Sequence, residues 1–118
     1  MMAMKIDDIY KIKGVLAVGE FDQSGKLIMF KSEQLSPVQA DSTARLSGTL
    51  FSLLSNIFSI YSMYCGIPVE HMNEMIFKSQ EVSLILVSGS KHDAGAFVRT
   101  SDVNIDTVVS SLKEYCSA

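Results

Sequence analysis

Charged side chains are scarce in this sequence, and basic ones are the scarcer kind. Only 19% of the 118 residues are charged, with 10 Lys or Arg against 13 Asp or Glu and a formal net charge of −3. Proteins that bind nucleic acid or anionic lipid usually carry an excess of basic residues on one surface. The chain has no excess of basic residues, so we expect neither nucleic acid nor a membrane as partner.

Cysteine and histidine are equally sparse. Cys65 and Cys116 lie far apart and form no C-x-x-C motif, so their spacing predicts neither a metal site nor a redox pair. His71 and His92 each fall in a predicted loop, too few ligands for a histidine metal site. No N-x-S/T sequon occurs, and residues 1–8 lack the apolar core of a secretory signal. We expect a cytoplasmic protein with free thiols and without metal or cofactor.

Charge is missing altogether from one long segment, residues 46–69. Its length is near the roughly 20 residues that cross a bilayer. Asn56 would lie near the middle of such a span, where a polar amide is costly, and no basic cluster flanks the segment. We therefore expect a helix of a folded domain and keep the membrane span as the weaker interpretation.

The first third of the chain predicts a helix followed by a β-hairpin. The length fits a single domain over residues 1–118, since domains cluster near roughly 100–150 residues. Residues 5–13 have the spacing of a short amphipathic helix. Two apolar runs of strand length, 15–21 and 27–30, are joined by the turn sequence Asp-Gln-Ser-Gly. The first run is apolar on both faces and should be covered on both.

The remainder predicts a long helix, a meander and a closing helix. Ser36 and Pro37 form a helix start, while Gly66 and Pro68 form a stop. Short loops make the following strands an antiparallel meander, with strands at 75–77, 82–87 and 94–98. Asn104 is the predicted cap of the closing amphipathic helix.

The long helix has two different sides. Large apolar residues at helical spacing form an apolar stripe, which predicts the side packed on the sheet; its members are Leu46, Leu50, Leu53, Leu54, Ile57, Ile60, Tyr61 and Tyr64. Small residues follow the other side as a serine seam, Gly48, Ser52, Ser55, Ser59 and Ser62, with Phe51, Phe58 and Met63 along its margins. Small residues let two helices approach closely, so the seam predicts a helix–helix contact. A neutral exposed side is the alternative.

Several short motifs resemble parts of catalytic sites, but none has the spacing or the companion residues that such a site needs. Gly19 to Lys26 departs from phosphate-loop spacing and leads into a strand. The S-x-x-K matches at 88–91 and 110–113 lack the companion elements of a serine hydrolase. Glu20 and Asp22 could be paired carboxylates, but a strand end running into a turn accounts for both. No catalytic residue is predicted.

The order of elements, together with three sequence patterns, resembles the roadblock family of dynein-light-chain-like domains. The patterns are the Gly-Val-apolar opening strand in 12–18, the Asp-x-x-Gly turn at 22–25, and the last hairpin, 82–87 with 93–99. The opening run looks closest to a small prokaryotic branch. The resemblance implies an α/β (α+β) fold with a five-stranded antiparallel sheet, the long helix on one face and both terminal helices on the other, as in profilins and longins.

The resemblance also implies a homodimer. Family members pack long helix on long helix and join an edge strand of the Met75-Ile76-Phe77 type into one sheet across both subunits. The implied interface comprises Gly48, Phe51, Ser52, Ser55, Phe58, Ser59, Ser62, Met63, Met75, Ile76 and Phe77. Members bind small Ras-like GTPases or serve as light chains in larger complexes. The expected function is a non-catalytic dimeric interaction module, and the alternative is a small-molecule-binding or enzymatic domain with a pocket between sheet and helices.

Overall fold

Three helices and five strands follow one another in the predicted order within residues 4–68 and 72–117, the part of the chain that the computed structural model describes. His71 lies outside these described residues, so its predicted loop position stays a prediction. The helices are α1 (Ile6–Tyr10), α2 (Pro37–Cys65) and α3 (Ile105–Cys116), and the strands are β1 (Val15–Phe21), β2 (Leu27–Ser32), β3 (Glu74–Phe77), β4 (Val82–Ser88) and β5 (Asp93–Arg99).

Both ends of α2 lie where the capping residues predict. The Ser36 hydroxyl accepts a hydrogen bond from the Gln39 amide at 3.2 Å, and the Gln39 side chain accepts one from the Ser36 amide at 2.9 Å. Gly66 is left-handed, with φ of 68°, and its amide donates to the Ser62 carbonyl. By contrast, α1 ends at Tyr10 instead of residue 13. The Ile12 amide donates a hydrogen bond to the Ile9 carbonyl and the Val15 amide to the Ile12 carbonyl, so two turns follow in place of further helix.

The sheet is antiparallel throughout, with strand order β2-β1-β5-β4-β3, so β2 and β3 form its edges. Asp22 holds the hairpin turn, because its carboxylate accepts bonds from the amides of Ser24 and Lys26 at 2.9 Å each. The Ser24 hydroxyl, and after it the Lys26 amide, lowers the pKa of this carboxyl. The predicted turn and the predicted sheet class are confirmed.

Helices cover both faces of the sheet, and the two layers are unequal. On one face α1 and α3 bury the larger core, with Ile9, Ile85 and Leu112 fully enclosed. On the other face α2 encloses a smaller cluster of Phe21, Ala44, Phe51, Met75 and Leu86. Strand β1 contributes Val18 to the first layer and Phe21 to the second, which confirms that it is covered on both faces.

The predicted assignment of the two sides of α2 is wrong. The residues of α2 buried against the sheet are mostly small: Ala40, Ala44, Ser47, Gly48 and Phe51. Most of the apolar stripe points away from the sheet, and only Leu50 and Leu54 pack partly against the core. Small residues on the inner side let the helix lie close to the β1–β2 turn, and a Cβ added to Gly48 would lie 2.8 Å from the Gly25 Cα.

We expect Gly48→Ala to destabilise the protein, although alanine is favoured over glycine in a helix by about 1 kcal/mol. The added Cβ meets backbone atoms of Gly25 at 2.8 and 3.0 Å, which cannot give way as a side chain would. A loss of about 1–3 kcal/mol in the free energy of unfolding should follow, measured by urea denaturation at fixed protein concentration. Ser52→Ala, at an exposed position of the same helix, is the control and should be neutral or stabilising. Equal stability of Gly48→Ala and wild type would contradict the contact.

Candidate functional site

Most of the exposed large apolar residues of the described chain lie on α2. Leu46 is 66% exposed, Leu53 52%, Ile60 51% and Tyr64 84%. These residues recur at helical spacing along one line of the apolar stripe, and residues 46–68 contain no charged side chain. A solvated helix side normally carries charged residues, so this line has the composition of an interface.

The last turns of α2 extend past the sheet. Between Asn56 and Cys65 every residue except the half-buried Ser62 is exposed, including Phe58 and Met63. A helix end that carries large apolar side chains and no charge is normally covered by another element. One protomer leaves this end of α2 uncovered.

Strand β3 provides a second uncovered element, at an edge of the sheet. Among the described residues it pairs with β4 alone, so its other edge presents backbone amides and carbonyls without a partner strand. Phe77 on this strand is 42% exposed. Leu50 of the stripe packs partly against the buried cluster that contains Met75 of β3, so α2 and β3 share part of one core.

The eleven residues of the predicted interface separate into three groups. Gly48, Phe51 and Met75 are buried within the protomer and present little surface. Ser55 and Ser62 are half-buried. The remainder are exposed: Ser52, Phe58, Ser59, Met63, Ile76 and Phe77. The predicted set stays a prediction. Large exposed residues lie both on the apolar stripe and at the margins of the serine seam, where Phe58 is 42% and Met63 82% exposed.

A buried carboxylate that sequence reasoning assigned to a strand end lies on the opposite face of the sheet. Glu20 is 8% exposed and accepts a hydrogen bond from the Tyr115 hydroxyl at 2.6 Å. Its other oxygen lies 3.0 Å from the His92 Nδ1. Glu20 thereby joins β1 to the end of α3 and to the β4–β5 loop. The one signal in the sequence is a lone acidic residue inside an otherwise apolar strand.

Burial also raises the pKa of two groups at the end of α3. Burial, followed by the hydrogen bond to Glu20, raises the pKa of Tyr115. Burial, followed by the charges of Asp93 and Glu20, raises the pKa of the Cys116 thiol to about 12. Cys116 is therefore an unreactive thiol at neutral pH, whereas Cys65, on the exposed end of α2, is accessible.

No metal centre emerges from the described part of the chain. No three His, Cys, Asp or Glu side chains there lie close enough together to hold a metal ion. By length and composition α2 could cross a membrane, and only 17% of its most apolar window is buried. The apolar surface of α2 is thus the feature that requires an explanation.

The bond between Tyr115 and Glu20 predicts an unequal effect of two tyrosine substitutions. Tyr115→Phe removes a donor from a buried carboxylate and should cost about 1–3 kcal/mol in the free energy of unfolding. Tyr10→Phe removes an exposed bond of 3.2 Å from the Glu33 amide and should cost less than about 0.5 kcal/mol. Urea denaturation of both variants at one protein concentration measures the difference. Equal effects would show that the buried bond to Glu20 stabilises the protein no more than the exposed bond of Tyr10.

Comparison with solved structures identifies the fold. A roadblock/LC7 domain from Streptomyces avermitilis superposes with a TM-score of 0.73 at 12% identity, covering 88% of this chain and 81% of that one. The gliding protein MglB from Thermus thermophilus gives 0.71 at 10% identity, covering 94% and 84%, and an MglB in a tetrameric arrangement gives the same values. The predicted roadblock fold is confirmed.

Comparison of the sequence identifies the family. No curated protein matches the chain. The family described as "Uncharacterized conserved protein (DUF2173)" matches residues 5–114. The chain belongs to that family, and its fold is that of roadblock domains.

Proposed function

We propose that this protein is a non-catalytic, homodimeric interaction module of the cytoplasm, which holds a small Ras-like GTPase or another protein complex. The observation that carries the proposal is the uncharged, exposed outer side of α2. The open edge of β3 is a second uncovered element. In the dimer two copies of α2 pack together and the two β3 strands pair into one sheet. The roadblock fold and the tetrameric arrangement of one MglB support self-association.

Both elements of the interface are needed for a stable dimer. Leu46, Leu53, Ile57 and Ile60 are each about half exposed. Covering the exposed half of such a side chain gains on the order of 1 kcal/mol, and so on the order of 8 kcal/mol for two copies. Association itself costs roughly 4–15 kcal/mol, so the stripe alone is close to break-even. Pairing of the β3 edges and burial of Tyr61 and Tyr64 supply the remainder.

A second copy explains the surface better than a bilayer does. Lipid could also cover an apolar helix, but the inner side of α2 is already packed on the sheet through Ala44 and Phe51. The open backbone edge of β3 finds no hydrogen-bond partners in hydrocarbon, whereas a second β3 strand provides them.

Charged substitutions on the two sides of α2 distinguish the apolar stripe from the serine seam. Leu53→Arg places two charges in the proposed contact, so wild type should have about twice the monomer mass of 13.0 kDa and the variant the monomer mass. Ser59→Arg, on the same helix and also exposed, should leave the dimer intact. Static light scattering at micromolar concentrations measures all three. A monomer in Ser59→Arg together with a dimer in Leu53→Arg would place the interface at the seam, and a monomeric wild type would refute the dimer.

A Ras-like GTPase from the same genome should bind the wild-type dimer with an affinity that depends on the bound nucleotide. The reason is that the roadblock resemblance implies a GTPase partner, and such GTPases change their switch loops with the γ-phosphate. Biolayer interferometry with the GTPase loaded with GDP or with a non-hydrolysable GTP analogue measures the difference. A folded, dimeric protein that binds none of the genome's Ras-like GTPases in either state would exclude this partner class and leave the dimer standing.

A further inference from the structure

A cavity lies between the first half of α2 and the sheet. Its volume is about 40 Å³, within about 410 Å³ of atom-free space that includes open solvent. Ala40 and Ala44 of α2 form its roof, and Gly19 of β1 and Gly95 of β5 lie in its floor. The cavity is separate from the apolar stripe, which lies on the opposite side of α2.

The register of the sheet explains why this space exists. Gly19 is paired directly with Gly95 across β1 and β5, so two adjacent positions in the floor carry no side chain. The roof above them is alanine. Interiors are normally packed with few voids larger than a water molecule, and the core on the other face of this sheet, around Ile85 and Leu112, is larger and encloses its side chains fully.

The fold restricts a side chain at Gly95 more than at Gly19. A Cβ on Gly95 would lie 2.7 Å from the Leu86 Cδ2 and 3.2 Å from the Ile85 carbonyl oxygen, so Leu86 would have to move to admit it. A Cβ on Gly19 would meet its nearest neighbour, the Met29 carbonyl oxygen, at 3.6 Å, which is ordinary contact. Gly19 also has no positive φ. Glycine weakens the interior of a strand, and it often marks a position that a ligand approaches closely.

The lining determines which ligand would fit. No charged residue lines the cavity, and its two hydroxyls are engaged: Thr43 donates to the Gln39 carbonyl and Ser47 to the Thr43 carbonyl, each at 2.8 Å. A cavity of about 150 Å³ is needed for a benzene ring, whereas a water molecule needs about 10–15 Å³. By this measure the space is too small for a ring and has room for about three water molecules, a volume that suits the terminal carbons of an unbranched alkyl chain.

We propose that the space between Gly19, Gly95 and Ala44 is a binding site for the linear aliphatic tail of a free monoacyl amphiphile, such as a fatty acid. The tail end enters the enclosed cavity, and the chain continues through the open part of the groove. This site goes beyond the proposed dimer and its protein partner, and it uses the side of α2 that faces its own sheet.

Octanoate is the probe, with cyclohexanecarboxylate as the ring control and vesicles of a zwitterionic phosphatidylcholine as the bilayer control. In ¹H–¹⁵N spectra of the full chain, octanoate should shift the amides of Gly19, Gly95 and Ala44 saturably, with a dissociation constant below about 1 mM. Cyclohexanecarboxylate and vesicles should not shift them. Gly19→Val fills the floor and should weaken octanoate binding at least tenfold, while Ser42→Val, at an exposed position of α2, should not.

Three results would overturn the site: shifts that spread along the apolar stripe instead, binding at high millimolar concentration only, or unchanged affinity in Gly19→Val. Circular dichroism establishes that each variant is folded. If Gly19→Val does not fold, Ala44→Leu fills the same space from the helix side and serves as the test. Light scattering of the same samples separates the two proposals, because loss of octanoate binding with an intact dimer mass concerns the cavity alone.

Discussion

The close approach of α2 to the β1–β2 turn is the constraint on which the rest of this structure depends. Gly48 lies against Gly25, which is itself in a left-handed conformation with φ of 88°. Only the small side of α2 permits this approach, so the helix turns its alanines, Ser47 and Gly48 toward the sheet. Its large apolar side chains must then face outward. The exposed surface of the protomer is therefore a direct consequence of how tightly one helix meets one turn.

The two faces of the sheet consequently have different physical roles. The face covered by α1 and α3 is closely packed, and polar contacts fasten α3 at its end: Tyr115 to Glu20, and Lys113 to Glu74 at 2.5 Å. The face covered by α2 has a smaller core and a cavity. The first face therefore buries more apolar side chains than the second. Binding surfaces belong to the less stable part of a fold, since they must accept a partner.

The sequence predicts the elements of this fold well because each is determined locally. Ser36 and Gly66 mark the ends of α2 through capping chemistry, and β1 has the predicted bounds because its apolar run ends at a turn-forming Asp22. The side of α2 that faces the sheet is not determined locally. Charged residues normally mark the solvent side of a helix, and residues 46–68 have none. With both sides neutral or apolar, the larger side chains favoured the wrong side.

The buried Glu20 escaped prediction for a related reason, since its partner lies 95 residues away and no local pattern joins the two. The same holds for the cavity, where Gly19 and Gly95 meet only through the register of β1 with β5. Each glycine alone merely weakens the strand that contains it. Because Gly19 and Gly95 are paired, the floor of the cavity has two adjacent positions without side chains. Features that arise from pairing distant segments require the topology. In this protein the outward stripe exists because α2 packs its small side on the sheet, and β3 is an open edge because the strand order places it last.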